Sequence, residues 1–232
     1  MRSIAGINCY EMGRALQYVR VQNSSSALSS LFNSTDSIEY YSSPVVLSQS
    51  STQHTKTQLL LINFQRETDP TGIRSRIWEV FCDRATRSNF IKCINKSQGV
   101  DISVLPTIYT RNRQHPFWLS PRGNGLDCHR TWEALYLDVI PIVWNSSLNS
   151  LYVNLPIIVI NDYSEITEKF LLTKLREIVF QKRNKWPIHR YEKLKFGYWR
   201  RLILSKSRHA IRTINRENQC WRAKRTRNGH GY

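Results

Sequence analysis

The first place where apolar residues run together is Leu59-Leu60-Leu61-Ile62-Asn63-Phe64. A short apolar run that gives way to polar residues predicts a strand buried on both faces, as in a parallel sheet. After Pro70 and Gly72, residues Ile73, Ile77, Val80 and Phe81 recur at helical spacing and predict a helix over 72–86. A weaker strand or loop is expected over 100–110. Phe117-Trp118-Leu119-Ser120 reads as the next strand, and 127–138 as a helix with Asp127 at its N-cap. Ile140-Pro141-Ile142-Val143-Trp144 is a further strand, with proline near its first residue, where it is tolerated. A short helix over 148–153 and the strand Pro156-Ile157-Ile158-Val159-Ile160 follow. Asp162-Tyr163-Ser164-Glu165 opens a helix reaching Lys182, and a last helix over 189–208 places Tyr191, Leu194, Tyr198 and Leu202 on one face.

Strands alternating with helices predict an α/β fold, a Rossmann-like parallel sheet with helices on both faces joined by right-handed crossovers. The 232 residues suffice for one such domain, and a hydrophobic fraction of 41% supports a real core. Residues 57–208 are assigned to this domain. Residues 1–56 are Ser-, Thr- and Asn-rich with poor periodicity and read as a poorly ordered remnant, and 209–232 as a basic flexible tail.

Charge sharpens the picture. The net charge is +17, and from Thr173 to Tyr232 there are 18 Lys and Arg against three Glu, which leaves +15 in that stretch and +2 before it. Such asymmetry points to an anionic partner. No apolar run is long enough for a transmembrane helix, and the N-terminus has no adequate apolar segment for a signal peptide. Of the five cysteines, none forms Cys-x-x-Cys, which disfavours a zinc ribbon. Cys82 and Cys93 are spaced to close a disulfide in an oxidising compartment, or else are buried free thiols. Sequons stand at Asn23, Asn33, Asn95 and Asn145.

In a parallel α/β sheet, ligands bind at the carboxyl ends of strands, near helix N-termini. Ser120-Pro121-Arg122-Gly123-Asn124-Gly125-Leu126-Asp127 is such a junction. Its glycines let the backbone approach an anion, the helix start suits phosphate, and Arg122 adds a charged fork. On the helix that follows, His129 and Arg130 lie within one turn of Glu133, the first at i,i+4 and the second at i,i+3. Such a Glu accepts hydrogen bonds from ribose hydroxyls, and an Arg beside it pairs with phosphate. Taken without context, the same pair is also an ordinary surface salt bridge. His115, in the loop before Phe117, either reaches the cleft or serves the surface. Cys128 reads as a packing cysteine rather than a nucleophile.

From Phe117 to Thr167 the chain resembles the C-terminal part of the exostosin-type glycosyltransferase family. The shared pattern is carried by Phe117, Leu119, Pro121, Gly123, Arg130, Glu133, Ala134, Ile140, Pro141, Leu155, Pro156 and Asp162. A weaker likeness extends back to Leu59 and forward over Lys182 to Trp199. The resemblance implies the C-terminal half of a GT-B fold, in which a nucleotide sugar, foremost a uridine diphosphate sugar, is the substrate donor. It implies that Arg122, Gly123, Asn124, Gly125, Asp127, His129, Arg130 and Glu133 line the donor site, with Glu133 on the ribose. It also implies a glycan or glycoprotein acceptor, a Golgi or ER-lumen setting, and a membrane anchor and acceptor-binding domain ahead of Leu59, so the chain reads as N-terminally truncated. No Asp-x-Asp triplet calls for a metal, and no cofactor is expected. Asp138 stands where the family has glycine, and aspartate tolerates the left-handed conformation needed there. The alternatives are an inactive exostosin-like binding domain and a basic nucleic-acid-binding module.

Overall fold

The computed structural model describes residues 14–19, 58–83, 88–95, 104–183 and 191–205. Five strands form one sheet in which every pairing is parallel, in the order β2-β1-β3-β4-β5. They are β1 (Leu60–Ile62), β2 (Ile91–Cys93), β3 (Phe117–Leu119), β4 (Ile140–Trp144) and β5 (Ile158–Ile160). The helices are α1 (Ile73–Cys82), α2 (Leu105–Asn112), α3 (His129–Tyr136), α4 (Asn149–Tyr152), α5 (Glu168–Arg183) and α6 (Phe196–Ser205). The fold is α/β and Rossmann-like, as the alternation of elements predicts.

Strand periodicity sorts the core into two layers. Leu60, Ile62, Phe117, Leu119, Ile140, Ile142, Ile158 and Ile160 face one way and pack against Ile77 and Phe81 of α1 and Leu171, Leu175 and Val179 of α5. Leu61 and Trp118 face the other way and meet Leu105 and Tyr109 of α2 and Ala134 of α3, with Leu137 and Val139 just beyond it. The chain leaves β1 for β2 on one side and returns past β1 to β3 on the other. Right-handed crossovers in opposite directions put α1 and α2 on opposite faces. Pro141 costs the central strand nothing, because β5 pairs with β4 only from Ile142 onward.

Several expectations are corrected. The stretch expected as a weak strand or loop is the helix α2. It buries Leu105, Tyr109 and Asn112 on one face and carries Pro106 in its first turn, where proline is pre-organised for a helix. The edge strand β2 went unread because only Ile91 of its three residues is buried, so it shows no apolar run. Helix α3 begins at His129 rather than Asp127. Cys128 holds the N-cap position, while the Asp127 carboxylate accepts from Trp132 Nε1 at 2.9 Å. Asp162 caps a separate 3-10 turn, Tyr163–Glu165, and α5 starts afresh behind Thr167, whose Oγ1 accepts from Phe170 N at 3.1 Å. The last predicted helix is a 3-10 turn, Tyr191–Leu194, followed by α6, and Leu202 is 47% exposed rather than facing inward.

Residues 14–19, within the segment read as poorly ordered, are helical. Ala15, Leu16 and Val19 are buried in the α2–α3 layer. The rest of 1–56, and the tail 209–232, lie outside the described residues. Asp138 has φ 56, the left-handed conformation anticipated for it. Val139 N bonds to Ala134 O at 2.9 Å and Asp138 N to Leu135 O at 3.3 Å, the two closing bonds of a Schellman motif. Among the described residues, no helix is long and apolar enough to cross a membrane.

Cys82 and Cys93 are joined by a disulfide that ties the last turn of α1 to the end of β2. A cross-link closing so short a loop is expected to contribute roughly 2–3 kcal/mol. Urea unfolding with and without a reducing thiol measures this. Reduction should lower the midpoint accordingly, and an unchanged midpoint would mean the two thiols are unpaired in solution.

Candidate anion-binding site

The strand order reverses between β1 and β3, and the chain leaves that point from the carboxyl end of each. Asn63 and Phe64 leave β1, and Ser120 and Pro121 leave β3, all four buried. In doubly wound sheets the ligand crevice opens at this switch point. Ser120 Oγ and Thr131 Oγ1 lie 2.8 Å apart and hold the start of α3 against the end of β3. Between them the chain makes a tight turn in which Gly123 N donates to Gly125 O at 3.1 Å.

The residue that organises the crevice is Arg74, in the first turn of α1. Its Nε donates to Arg122 O at 2.7 Å. Nη1 donates to Gln65 O at 3.0 Å and Thr68 Oγ1 at 2.6 Å, and Nη2 to Pro121 O at 3.2 Å and Cys128 Sγ at 3.6 Å. The buried guanidinium thus bridges the loop after β1 and the loop after β3. It also presses on position 123, where a Cβ would lie 3.0 Å from Arg74 Nη2 and the guanidinium would have to shift to admit it. Sequence reading missed Arg74. The available signal was its place in line with Ile77 and Phe81 on the buried face of α1.

Asp69 braces the same region. Its carboxylate accepts from Thr71 Oγ1 at 2.8 Å, Thr71 N at 3.1 Å and Arg74 N at 3.2 Å. Burial by itself would raise this carboxyl, but the Thr71 hydroxyl and the amides of Thr71, Arg74 and Ile73 outweigh burial and hold its pKa below the ordinary value. Arg122 Nε lies 3.7 Å from Asp69 Oδ1, an ion pair beyond hydrogen-bond reach, with the Arg122 side chain 31% exposed.

Arg130 projects from α3 toward β1 and is only 9% exposed. Its Nη1 donates to Asn63 Oδ1 in a short bond. The guanidinium carbons of Arg74 and Arg130 lie 5.3 and 6.0 Å from the Phe64 ring centroid, so the two cations share one aromatic surface. Burial draws Arg130 below its usual pKa and Arg74 adds to this, while Cys128, Glu133 and Tyr109 act in the opposite sense. Tyr109, buried on α2, hydrogen-bonds Glu133. Burial, and then the Glu133 charge, push its hydroxyl well above the ordinary value, so it is a donor at every physiological pH. Arg130 thus bonds Asn63 directly, and Glu133 lies near enough to Arg130 and Tyr109 to act on both; of these four residues sequence reading anticipated Arg130 and Glu133. Arg122 Nε and Arg130 Nε are both buried, and neither has a hydrogen-bond partner among the described residues.

The structure therefore brings Arg122, Gly123 and Arg130 to the switch point, with Glu133 further along α3 beside Tyr109. Asn124, Gly125 and Asp127 lie on the exposed outer part of the turn, and His129 is the half-exposed first residue of α3. An aromatic flank adjoins Asp127. Trp132 lies 6.2 Å from Tyr152 and 6.3 Å from Trp199, ring centroid to centroid. Burial, then Asp127 and Cys128, push the Tyr152 hydroxyl up to about 12. His115 does not reach the crevice. It precedes β3 at the amino ends of the strands, away from the crevice, where its Nδ1 lies 2.9 Å from Gln58 O. Among the described residues no cluster of His, Cys, Asp and Glu forms a metal site.

Compared with known proteins, the chain matches no family model and no curated sequence.

Two predictions follow from these contacts. Arg74→Met leaves the carbonyls of Pro121 and Arg122 without this donor and Gln65 O with only the Thr68 hydroxyl, and should cost roughly 3 kcal/mol in urea unfolding, with Arg74→Lys recovering only part. Loss of less than a third of that would mean the clamp is dispensable. The second concerns pH. Burial lowers the His115 pKa, Lys92 and Arg111 lower it further, and the Gln58 bond only partly offsets this. The folded state therefore favours neutral imidazole. Below about pH 6.5 the unfolded chain gains a proton that the folded one resists, so stability falls as pH drops. His115→Asn keeps a donor for Gln58 without titrating, and should flatten the fall seen from about pH 6.5 to 5. Parallel pH profiles for the two proteins would rule His115 out as the cause.

Proposed function

We propose that the crevice at the carboxyl ends of β1 and β3 binds the diphosphate of a nucleoside diphosphate sugar, and that the chain is the donor-binding part of an exostosin-like glycosyltransferase. The sugar is passed to a hydroxyl of a glycan or glycoprotein acceptor. The observation that carries this reading is the pair of buried guanidinium Nε–H groups, on Arg122 and Arg130, that flank the turn without a hydrogen-bond partner among the described residues. A desolvated donor left unmatched costs about 1–3 kcal/mol, more when charged, and a phosphate oxygen removes that cost.

The residues fit such a ligand. The turn from Arg122 to Gly125 brings backbone close to the anion beside the start of α3, which adds its own dipole. Glu133, steadied by Tyr109 and facing Arg130, supplies the acceptor that ribose hydroxyls require. The likeness from Phe117 to Thr167 falls on the elements that build this crevice. It supports donor binding more directly than turnover, because a glycosyltransferase of this kind closes its cleft with a second domain.

Calorimetric titration with uridine diphosphate at physiological salt tests the reading. Saturable binding is expected, weakened about tenfold or more by Arg122→Met and by Glu133→Ala, with inorganic phosphate binding more weakly than the nucleotide. Absence of saturable binding by a folded protein, or binding indifferent to both substitutions, would sink it. A sugar-transfer assay on the same protein then separates an active domain from an inactive one.

A further inference from the structure

We propose that Asn95 carries an N-linked oligosaccharide, and that Asn145, the other sequon asparagine within the described fold, does not. The inference is independent of the nucleotide-sugar reading. Its first support is the Cys82–Cys93 disulfide, since such bonds form and persist in oxidising compartments, where N-glycosylation also takes place. Its second is the contrast between the two sites.

Asn95 is exposed, and stands two residues after the bridged Cys93 at the end of β2. The last ladder bond before it is Ile94 N to Ile62 O at 2.9 Å. Among the described residues the strand pairs only with β1, so it forms one edge of the sheet. An oligosaccharide there projects into solvent beside the end of an edge strand, a place where chains otherwise pair with one another.

Asn145 is exposed as well, but its carboxamide is already committed. Its Nδ2 donates to Asn161 Oδ1 at 2.9 Å and its Oδ1 accepts from Asn149 Nδ2 at 2.6 Å. Asn149 Oδ1 in turn accepts from Ser146 N at 3.1 Å, so the sequon is folded into the turn that starts α4. A sugar on Asn145 Nδ2 would press on Asn161 at the carboxyl ends of β4 and β5.

In the transfer, Asn95 Nδ2 forms a bond to the anomeric carbon of an oligosaccharide held on a polyisoprenyl diphosphate. The bond from that carbon to the diphosphate oxygen breaks, the diphosphate leaves with the electron pair, and the amide gives one proton to the transferring enzyme. Ser97 supplies the hydroxyl that the sequon requires.

The full chain, directed into the secretory pathway of a eukaryotic cell by a cleavable signal peptide, is purified and treated with a glycan-releasing amidase in heavy-oxygen water. Peptide mass spectrometry then marks each formerly glycosylated asparagine as labelled aspartate. Labelling is expected at Asn95 and not at Asn145. Ser97→Ala should abolish the Asn95 label while leaving the Cys82–Cys93 linkage intact in non-reducing peptide maps, which separates loss of the acceptor from misfolding. Disulfide-bonded protein unlabelled at Asn95, label at Asn145, or a chain recovered without any glycan would each overturn the proposal.

Discussion

The structure turns on one buried cation. Arg74 joins the loops that leave β1 and β3, and with five donated hydrogen bonds it fixes the one point in the sheet where the chain changes direction. Burying a guanidinium is tolerable only when its donors are matched, and here carbonyls do most of the matching. Those carbonyls belong to segments that no strand or helix would otherwise hold. The clamp therefore makes the turn rigid and leaves little positive charge cancelled by carboxylates. The neighbouring arginines inherit that field. Arg122 has Asp69 at ion-pair distance, and Arg130 has Glu133 nearby, so three cations converge with two carboxylates.

This balance bears on the chemistry. Phe64 presents its ring to both Arg74 and Arg130, which keeps two like charges close without a bridging acid between them. The result is a desolvated, positively biased crevice beside the start of α3. Such an arrangement is what the proposed diphosphate, with its several acceptor oxygens, would meet.

How much of this could be read from sequence depended on whether each role is local. β1, β3 and β4 are apolar runs because they are buried among neighbours, and β5, an edge strand with Val159 exposed, is apolar in sequence all the same; their order with the helices carried the fold class. β2, the other edge strand, buries only Ile91, and α2 is short and half polar, so neither left a clear pattern. Arg130 and Glu133 were legible as neighbours because helical spacing alone puts them together. Arg74, Asn63 and Tyr109 were not, since their meeting depends on three crossovers and on which face each helix takes. Asp127 was read as a cap from its type and position, but Trp132 competes for the same carboxylate, a contact five residues away that propensity does not weigh.

Residues 14–19 complete the α2–α3 layer from far along the chain. Val19 is fully buried there, and its carbonyl accepts from Arg113 Nη1 at 3.2 Å. This contact spans 94 residues, at an entropic cost that grows slowly with loop length. The buried side chains of Ala15, Leu16 and Val19 must offset that cost for the segment to hold its place in the layer.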